Sequence, residues 1–299
     1  MIPTIWLASY PKSGNTWFRI LVANLWSDGD APIDINVIDS ADSIASWRAR
    51  FDQQTLIESG LLGHDEVDRL RPALYAYMAA GGAMADPESA DVPVRLVKTH
   101  DAWTLTDRGE PMMAGARGAA GALLFVRDPR DVAGSFANHL GRPIDVAIEH
   151  MGDPDFCFAA AADRLNRQLR QRLLGWSGFN ASWLDQRDIP VHLVRYEDMI
   201  GDTLTTARAA LAFAGIHAPA DRLDRAIAFA SIGELQRQEA EKGFREAPRK
   251  ARRFFRRGAA GGWREELTSG QVARIEHDHG SMMDRLGYAR AAAMTEREQ

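Results

Sequence analysis

The sequence predicts an α/β protein built on one open, mainly parallel sheet with helices on both faces. Three observations predict it. Short apolar strands recur along the chain, separated by segments of helical periodicity. The run Ala122 to Val126 (ALLFV) is apolar at every position, as expected for a strand covered on both sides. The first strand ends in a glycine-containing turn that opens directly into a helix. Strands that alternate with helices pair in parallel. The 299 residues suit a single domain, without a repeat or a linker to divide them. The domain is expected to span residues 1–290, and the Arg/Glu-rich end, 291–299, to be a frayed tail.

Taken in order, Thr4 to Ser9 (TIWLAS) reads as a buried strand and Tyr10 to Gly14 as a turn. Asn15 to Ser27 places Trp17, Ile20, Leu21 and Leu25 at helical spacing. Residues 28–90 alternate weakly and end in GGAMADPESADVP, a loop by its composition. Val94 to Lys98 reads as a strand ending at Thr99 and His100, and ALLFV is followed by RDPRD and a helix through His139. The Ala- and Arg-rich stretch 157–187 reads as one long helix. Val191 to Val194 reads as a strand, followed by RYEDM and a helix from Thr203 to Ala214. Two more helical stretches precede a basic segment, 244–264, and a helix from Ser269 to Leu286 closes the domain.

Composition narrows the function classes. Hydrophobic residues make up 45% and charged residues 26%, and the net charge is -5, which weakens any polynucleotide-binding reading. The single cysteine, Cys157, can form no internal disulfide, which favours a reducing compartment. There is no long apolar run and no basic, signal-like start, so a cytoplasmic protein with no membrane partner is expected. Only four of the 36 basic residues are lysines, and two of these, Lys12 and Lys98, fall inside the motifs below. A lysine ammonium is a compact charge that can approach a transferring group more easily than a planar guanidinium can.

Four segments could carry chemistry, and all lie at strand ends or in the late loop, where open parallel sheets collect ligands. In YPKSGNTW, Gly14 permits a conformation closed to other residues, and Ser13, Asn15 and Thr16 offer hydroxyl, amide and N–H donors. The following helix points its positive end at the turn, and Lys12 adds a full charge. Taken alone, such a turn is more simply a solvated bend, but the ordered set Pro-Lys-Ser-Gly-x-Thr-Trp favours an anion loop. The order differs from nucleotide-triphosphatase loops, whose lysine follows the second glycine. In VRLVKTHDAW, Lys98 and His100 lie two apart and point the same way if the strand continues. A neutral imidazole there could take a proton from a hydroxyl, although one histidine alone is more often structural. In LLFVRDPRDVAGS, Arg127 and Ser135 could grip a terminal phosphate, or Arg127 could belong to an ion-pair cluster with Asp128 and Asp131. In the late basic segment, Arg252, Arg253, Arg256 and Arg257 precede a glycine-rich turn. A local cationic loop in an acidic chain suits one small polyanion.

Together these segments resemble the sulfotransferases that use 3′-phosphoadenosine 5′-phosphosulfate (PAPS). The family's signatures are similar to YPKSGTTW, KTH, RNPRDVAxS and RKGxxGDW. This chain has YPKSGNTW, KTH, RDPRDVAGS and RRGAAGGW in the same order, and YEDM at 196–199 matches a further family segment. The resemblance implies a P-loop-kinase-like fold with a PAPS-binding loop. It implies that Lys12, Ser13, Gly14, Asn15 and Thr16 hold the 5′-phosphosulfate and that Trp17 lies near the adenine. Arg127, Ser135, Arg256, Arg257 and Gly258 would bind the 3′-phosphate, and Tyr196 would contact the nucleotide. His100 would be the general base and Lys98 would neutralise charge on the sulfuryl group. The product would be 3′,5′-adenosine bisphosphate (PAP), no metal would be required, and the acceptor would be a hydroxyl, less readily an amine, of a small molecule.

Asn15 replaces the family's usual threonine, and Gly262 its usual aspartate. Ala230, Ser231 and Ile232 replace Thr-Ser-Phe, which leaves Trp17 an aliphatic partner. The usual dimer pattern is not evident in REELTSGQVARIE, so the oligomeric state stays open. Two alternatives remain, a P-loop-type nucleotide or small-molecule kinase and a nucleotide-binding module without chemistry. For the acceptor, the candidate apolar contacts are Trp47, Phe51, Trp103, Met112, Met113 and Phe156, each equally able to serve as packing.

Overall fold

The computed structural model describes residues 2–38, 43–81, 94–161, 163–248, 250 and 253–290. Most of the expected loop 81–93, the expected tail 291–299 and Arg252 lie outside the described residues. The strands are β1 Thr4–Ser9, β2 Arg95–Thr99, β3 Gly121–Val126, β4 Cys157–Phe158, β5 Gln171–Arg172 and β6 Val191–Arg195. The helices in the first half are α1 Asn15–Ser27, α2 Arg48–Thr55, α3 His64–Ala79, α4 Pro129–Leu140 and α5 Ile144–Gly152. They continue with α6 Gly175–Asp185, α7 Tyr196–Gly201, α8 Thr203–Phe213, α9 Ala220–Phe229, α10 Ile232–Lys242, α11 Trp263–Glu266 and α12 Ser269–Arg285.

The main sheet runs β2-β1-β3-β6 with every pair parallel. Side chains alternate across a strand, and here both faces are covered. On one face Trp6, Ala8, Leu124 and Val126 pack with residues of α3, α4, α6 and α12. On the other, Ile5, Leu7, Leu123 and Phe125 pack with residues of α1, α8 and α9. Each large side chain so buried contributes about 1.5–3 kcal/mol. This double cover explains why the strands read as unbroken apolar runs. The register pairs Ala8 with Thr99, Ser9 with Phe125 and Val126 with Arg195, so all four strands deliver their carboxyl ends to one edge.

The expected long helix over 157–187 is replaced by the short antiparallel pair β4–β5, irregular chain, and α6. Its backbone groups bond elsewhere: Leu169 N–H donates to Ser46 O, Arg48 N–H to Arg167 O, and Ala102 N–H to Arg172 O. Ala159 and Leu174 adopt positive φ, which ends helical geometry at each. Tertiary partners here override the helix propensity of alanine and arginine.

Candidate active site

The carboxyl edge of the sheet opens into a cavity of about 490 Å³. The segment after β1 forms its floor. Lys12 sits at φ 73 and Gly14 at φ 100, and Gly14 opens α1, which has no side-chain cap at its start. The first N–H groups of α1 are therefore left for a ligand. A Cβ built on Gly14 would stand 2.8 Å from Tyr196 Cδ2, so only glycine lets the loop pass under that ring. Ser13 is the one expected site residue that does not line the cavity; it lies buried behind the loop, and its Oγ has no partner. Asn15 donates from Nδ2 to Leu7 O at 2.7 Å, which ties the loop to β1.

Positive charge concentrates above this floor. Lys12 Nζ stands 3.7 Å from the centre of the Phe254 ring. Burial, followed by the nearby Lys98, Arg127 and Arg256, pushes its ammonium down to about 7. A cation so crowded is stabilised by any anion that enters. Arg127 lies outside the ion-pair cluster that its neighbours suggested. Its guanidinium covers Tyr196 at 4.2 Å and donates to Lys12 O at 3.3 Å and Ala259 O at 3.2 Å. The cluster itself forms between Asp128 and Arg130 at 2.6 Å. Asp131 instead accepts from the backbone N–H groups of Gly261, at 2.6 Å, and Trp263, at 2.9 Å. Those bonds hold the late loop over α4, where Ser135 also faces the cavity. Arg256 bonds Glu266, and Arg257 pairs with Glu265 at 3.2 Å, so both arginines are tethered at the rim. Gly258, at φ 60, packs so tightly on Ile232 that a Cβ would come within 2.5 Å of its Cγ1.

Trp17 donates from its indole N–H to Ala230 O at 2.8 Å and meets Tyr196 edge-on at 6.1 Å. Ile232 lines the same cavity.

His100 faces the cavity from the end of β2. Its Nδ1 lies 2.7 Å from Ser9 O, with Ser9 Oγ at 3.3 Å. A carbonyl only accepts, so the proton sits on Nδ1 and the lone pair on Nε2. Burial, followed by Lys98, pushes the imidazole down to about 3, against the opposing pull of the Ser9 carbonyl and Glu246. It is a neutral base held in one tautomer.

Several contributors were missed from sequence. Glu246 binds Lys98 Nζ at 3.2 Å and Arg19 at 2.7 Å within the cavity wall. Phe254 supports Lys12, and Asp131 and Glu266 anchor the late loop. All belong to segments already singled out, yet a carboxylate inside a basic segment carries no sign of which cation it serves. Among the six apolar acceptor candidates only Trp47 lines the cavity, joined by Ile44 and Phe158. Phe51, Met112 and Met113 are buried, Trp103 packs on Trp183, and Phe156 stacks on His150.

Comparison with known proteins bears on the family and the fold. Residues 3–287 match the family described as a sulfotransferase domain. Among solved structures, a retinol dehydratase in complex with androsterone and inactive cofactor PAP is similar at 17% identity, covering 95% of this chain and 81% of that one, with a TM-score of 0.57. A mouse sulfotransferase complexed with PAP is similar at 18% identity, covering 94% and 84%, with a TM-score of 0.54. A retinol dehydratase with retinol and PAP gives 18% identity, 95% and 82% coverage and a TM-score of 0.55. No curated protein matches significantly.

Proposed function

The chain belongs to the sulfotransferase family, and from that premise we propose that it moves the sulfuryl group of PAPS to the hydroxyl of a small-molecule acceptor, with His100 as general base. The observation that carries this reading is the fixed tautomer of His100. Its Nδ1–H is committed to Ser9 O, and its Nε2 lone pair shares one cavity with Lys12 and Lys98.

The residues fit the donor. The loop offers uncapped helix N–H groups and a glycine cradle, and crowded cations surround it without enough local acid to neutralise them. PAPS supplies an activated sulfuryl group on a phosphate leaving group. Lys12 and the N–H groups of residues 13–16 hold the 5′ end, and Lys12 balances charge that grows on the departing oxygen. Trp17 and Tyr196 border the base, while Arg127, Ser135, Arg256, Arg257 and Gly258 hold the 3′-phosphate. His100 takes the hydroxyl proton at Nε2 as the bond to sulfur forms, and Lys98 neutralises the sulfuryl oxygens. Most of the rate then comes from positioning and fixed charge.

The acceptor enters past Trp47, Ile44 and Phe158, whose apolar faces suit a flat or lipid-like alcohol better than a sugar. None of the described helices is long and apolar enough to cross a membrane. The lone, half-buried Cys157 fits a reducing, cytoplasmic setting.

The test is a metal-free thermal shift with PAP against ADP, 5′-AMP and Mg·ATP. A ligand at a hundred times its dissociation constant stabilises the fold by about 2.7 kcal/mol. A shift confined to PAP supports the reading, and a larger shift with Mg·ATP overturns it.

A further inference from the structure

The three most exposed large apolar side chains among the described residues are Leu56, Leu61 and Leu165, at 90%, 81% and 71% of full exposure. Leu56 and Leu61 belong to one segment after α2, and Leu165, remote in sequence, is brought against that segment at Gly60. Leu165 covers Gly60 so closely that a Cβ there would be 3.2 Å from its Cδ1, and Leu61 follows directly. Ile57, 38% exposed, adds a fourth side chain. Leu56 holds φ 56, a left-handed conformation rarely adopted by leucine, and still presents its side chain to solvent. That conformation ends α2 and turns the chain toward Ser59–Leu61.

This lip is joined to the cavity mouth. Arg48 donates from NH1 to Ser59 Oγ at 2.8 Å, from Nε to Asn166 O at 2.7 Å, and from its backbone to Arg167 O at 2.9 Å. Arg167, Gln168 and Trp47 then line the opening. We propose that the lip of Leu56, Ile57, Leu61 and Leu165 seats shallowly in a lipid surface, so that the cavity opens onto the bilayer. Four aliphatic side chains offer only a few hundred Å², short of the roughly 800 Å² per partner that a stable protein interface needs. Loop tips that project leucines suit insertion at the acyl boundary. The flanking charges are balanced, with exposed Arg164 and Arg167 against Glu58 and Asp163, so apolar insertion and not headgroup charge drives the contact. The sequence expectation of no membrane partner rested on the absence of a long apolar run, which loop-borne leucines do not produce.

The experiment is co-sedimentation of the full chain with phosphatidylcholine vesicles, in low salt and in 0.5 M NaCl. Wild-type protein is expected to bind in both, and the triple variant Leu56→Ser, Leu61→Ser, Leu165→Ser to bind at least tenfold more weakly. The PAP thermal shift of the variant should equal that of wild type, which shows that it is folded. Absence of wild-type binding, or equal binding by the variant, overturns the proposal. So does a wild-type dimer in analytical ultracentrifugation that the variant dissociates, because the lip would then be covered by a second copy. If PAP shifts neither protein, the donor assignment fails separately, while vesicle binding still decides the lip.

Discussion

Lys98 and Glu246, remote in sequence, form an ion pair of 3.2 Å in the wall of the cavity, and the second carboxylate oxygen of Glu246 meets Arg19 at 2.7 Å. One acid thus joins the end of β2, helix α1 and the segment that delivers Phe254, Arg256 and Gly258. Burial alone would push this carboxyl up, but the Lys98 ammonium and the Arg19 guanidinium overcome it and hold it at about 2. Its contribution to stability is therefore present above the unfolded carboxylate value of about 4.3 and fades as pH falls toward 2.

Glu246→Ala removes the counter-charge of two buried cations. Loss of one partner of a buried pair costs about 3–5 kcal/mol. Urea unfolding at neutral pH should show that loss, and a change below about 1 kcal/mol would mean that the triad is not a structural tie.

Lys12 gives a pH signature. Its ammonium is held down at about 7 in the free protein, so above that pH it is increasingly neutral. A bound anion keeps it charged, and nucleotide binding must then take up a proton. Affinity for PAP should fall by up to about tenfold per pH unit between 7 and 10. Calorimetry at pH 8.5 in buffers of different ionisation enthalpy should show uptake approaching one proton, lost in Lys12→Met. Uptake unchanged in the variant would assign the proton elsewhere.

Much of this arrangement was legible before folding. Strand ends and turn chemistry are local, so Lys12, Gly14, His100, Arg127 and Ser135 stand out as residues at strand ends or in the helix that follows. The parallel pairing follows from the alternation of strands with helices. What stayed hidden depends on long-range contact. Glu246 reads as one more charge in a basic segment until Arg19 and Lys98 are brought to it. The stretch 157–187 looks helical because its backbone partners, Ser46, Arg48 and Ala102, are contributed by distant segments. Phe51, Met112 and Met113 could not be told from cavity-facing residues, since an apolar side chain serves a core and a pocket equally well.

His100→Ala should lower kcat by about 10²–10⁴-fold with any acceptor the wild-type protein sulfates, the usual worth of a positioned base. The PAP thermal shift should be unchanged. Because the free imidazole is neutral above about 3, kcat/KM for PAPS should show no acid limb near the ordinary histidine value of about 6.5. An acid limb there that vanishes in His100→Ala would refute the depressed pKa.

Gly14→Ala tests the cradle. The residue sits at φ 100 with no room for a Cβ beside Tyr196. Forcing alanine there costs about 1–3 kcal/mol of strain or displaces the ring. Nucleotide binding should be lost in a protein that remains folded by circular dichroism. Retained affinity would show that the loop does not form the anion floor.

The 3′-phosphate role proposed for Arg127 predicts a difference between two nucleotides. Its guanidinium is fixed on three sides, by Lys12 O, Ala259 O and the Tyr196 ring. The two oxygens are neutral carbonyls, so its positive charge remains available to a phosphate in an orientation set in advance. A charged hydrogen bond is worth about 1.5–3 kcal/mol, so Arg127→Ala should weaken PAP by about 10–150-fold. It should leave 5′-AMP, which lacks the 3′-phosphate, nearly unchanged. Arg127→Lys should restore only part of the loss, because a point charge cannot reproduce a planar fork or cover Tyr196 in the same way. Calorimetric titration of both nucleotides into the three proteins decides the matter. Equal losses for PAP and 5′-AMP would argue against the proposed 3′-phosphate role and assign Arg127 to the 5′ end with Lys12.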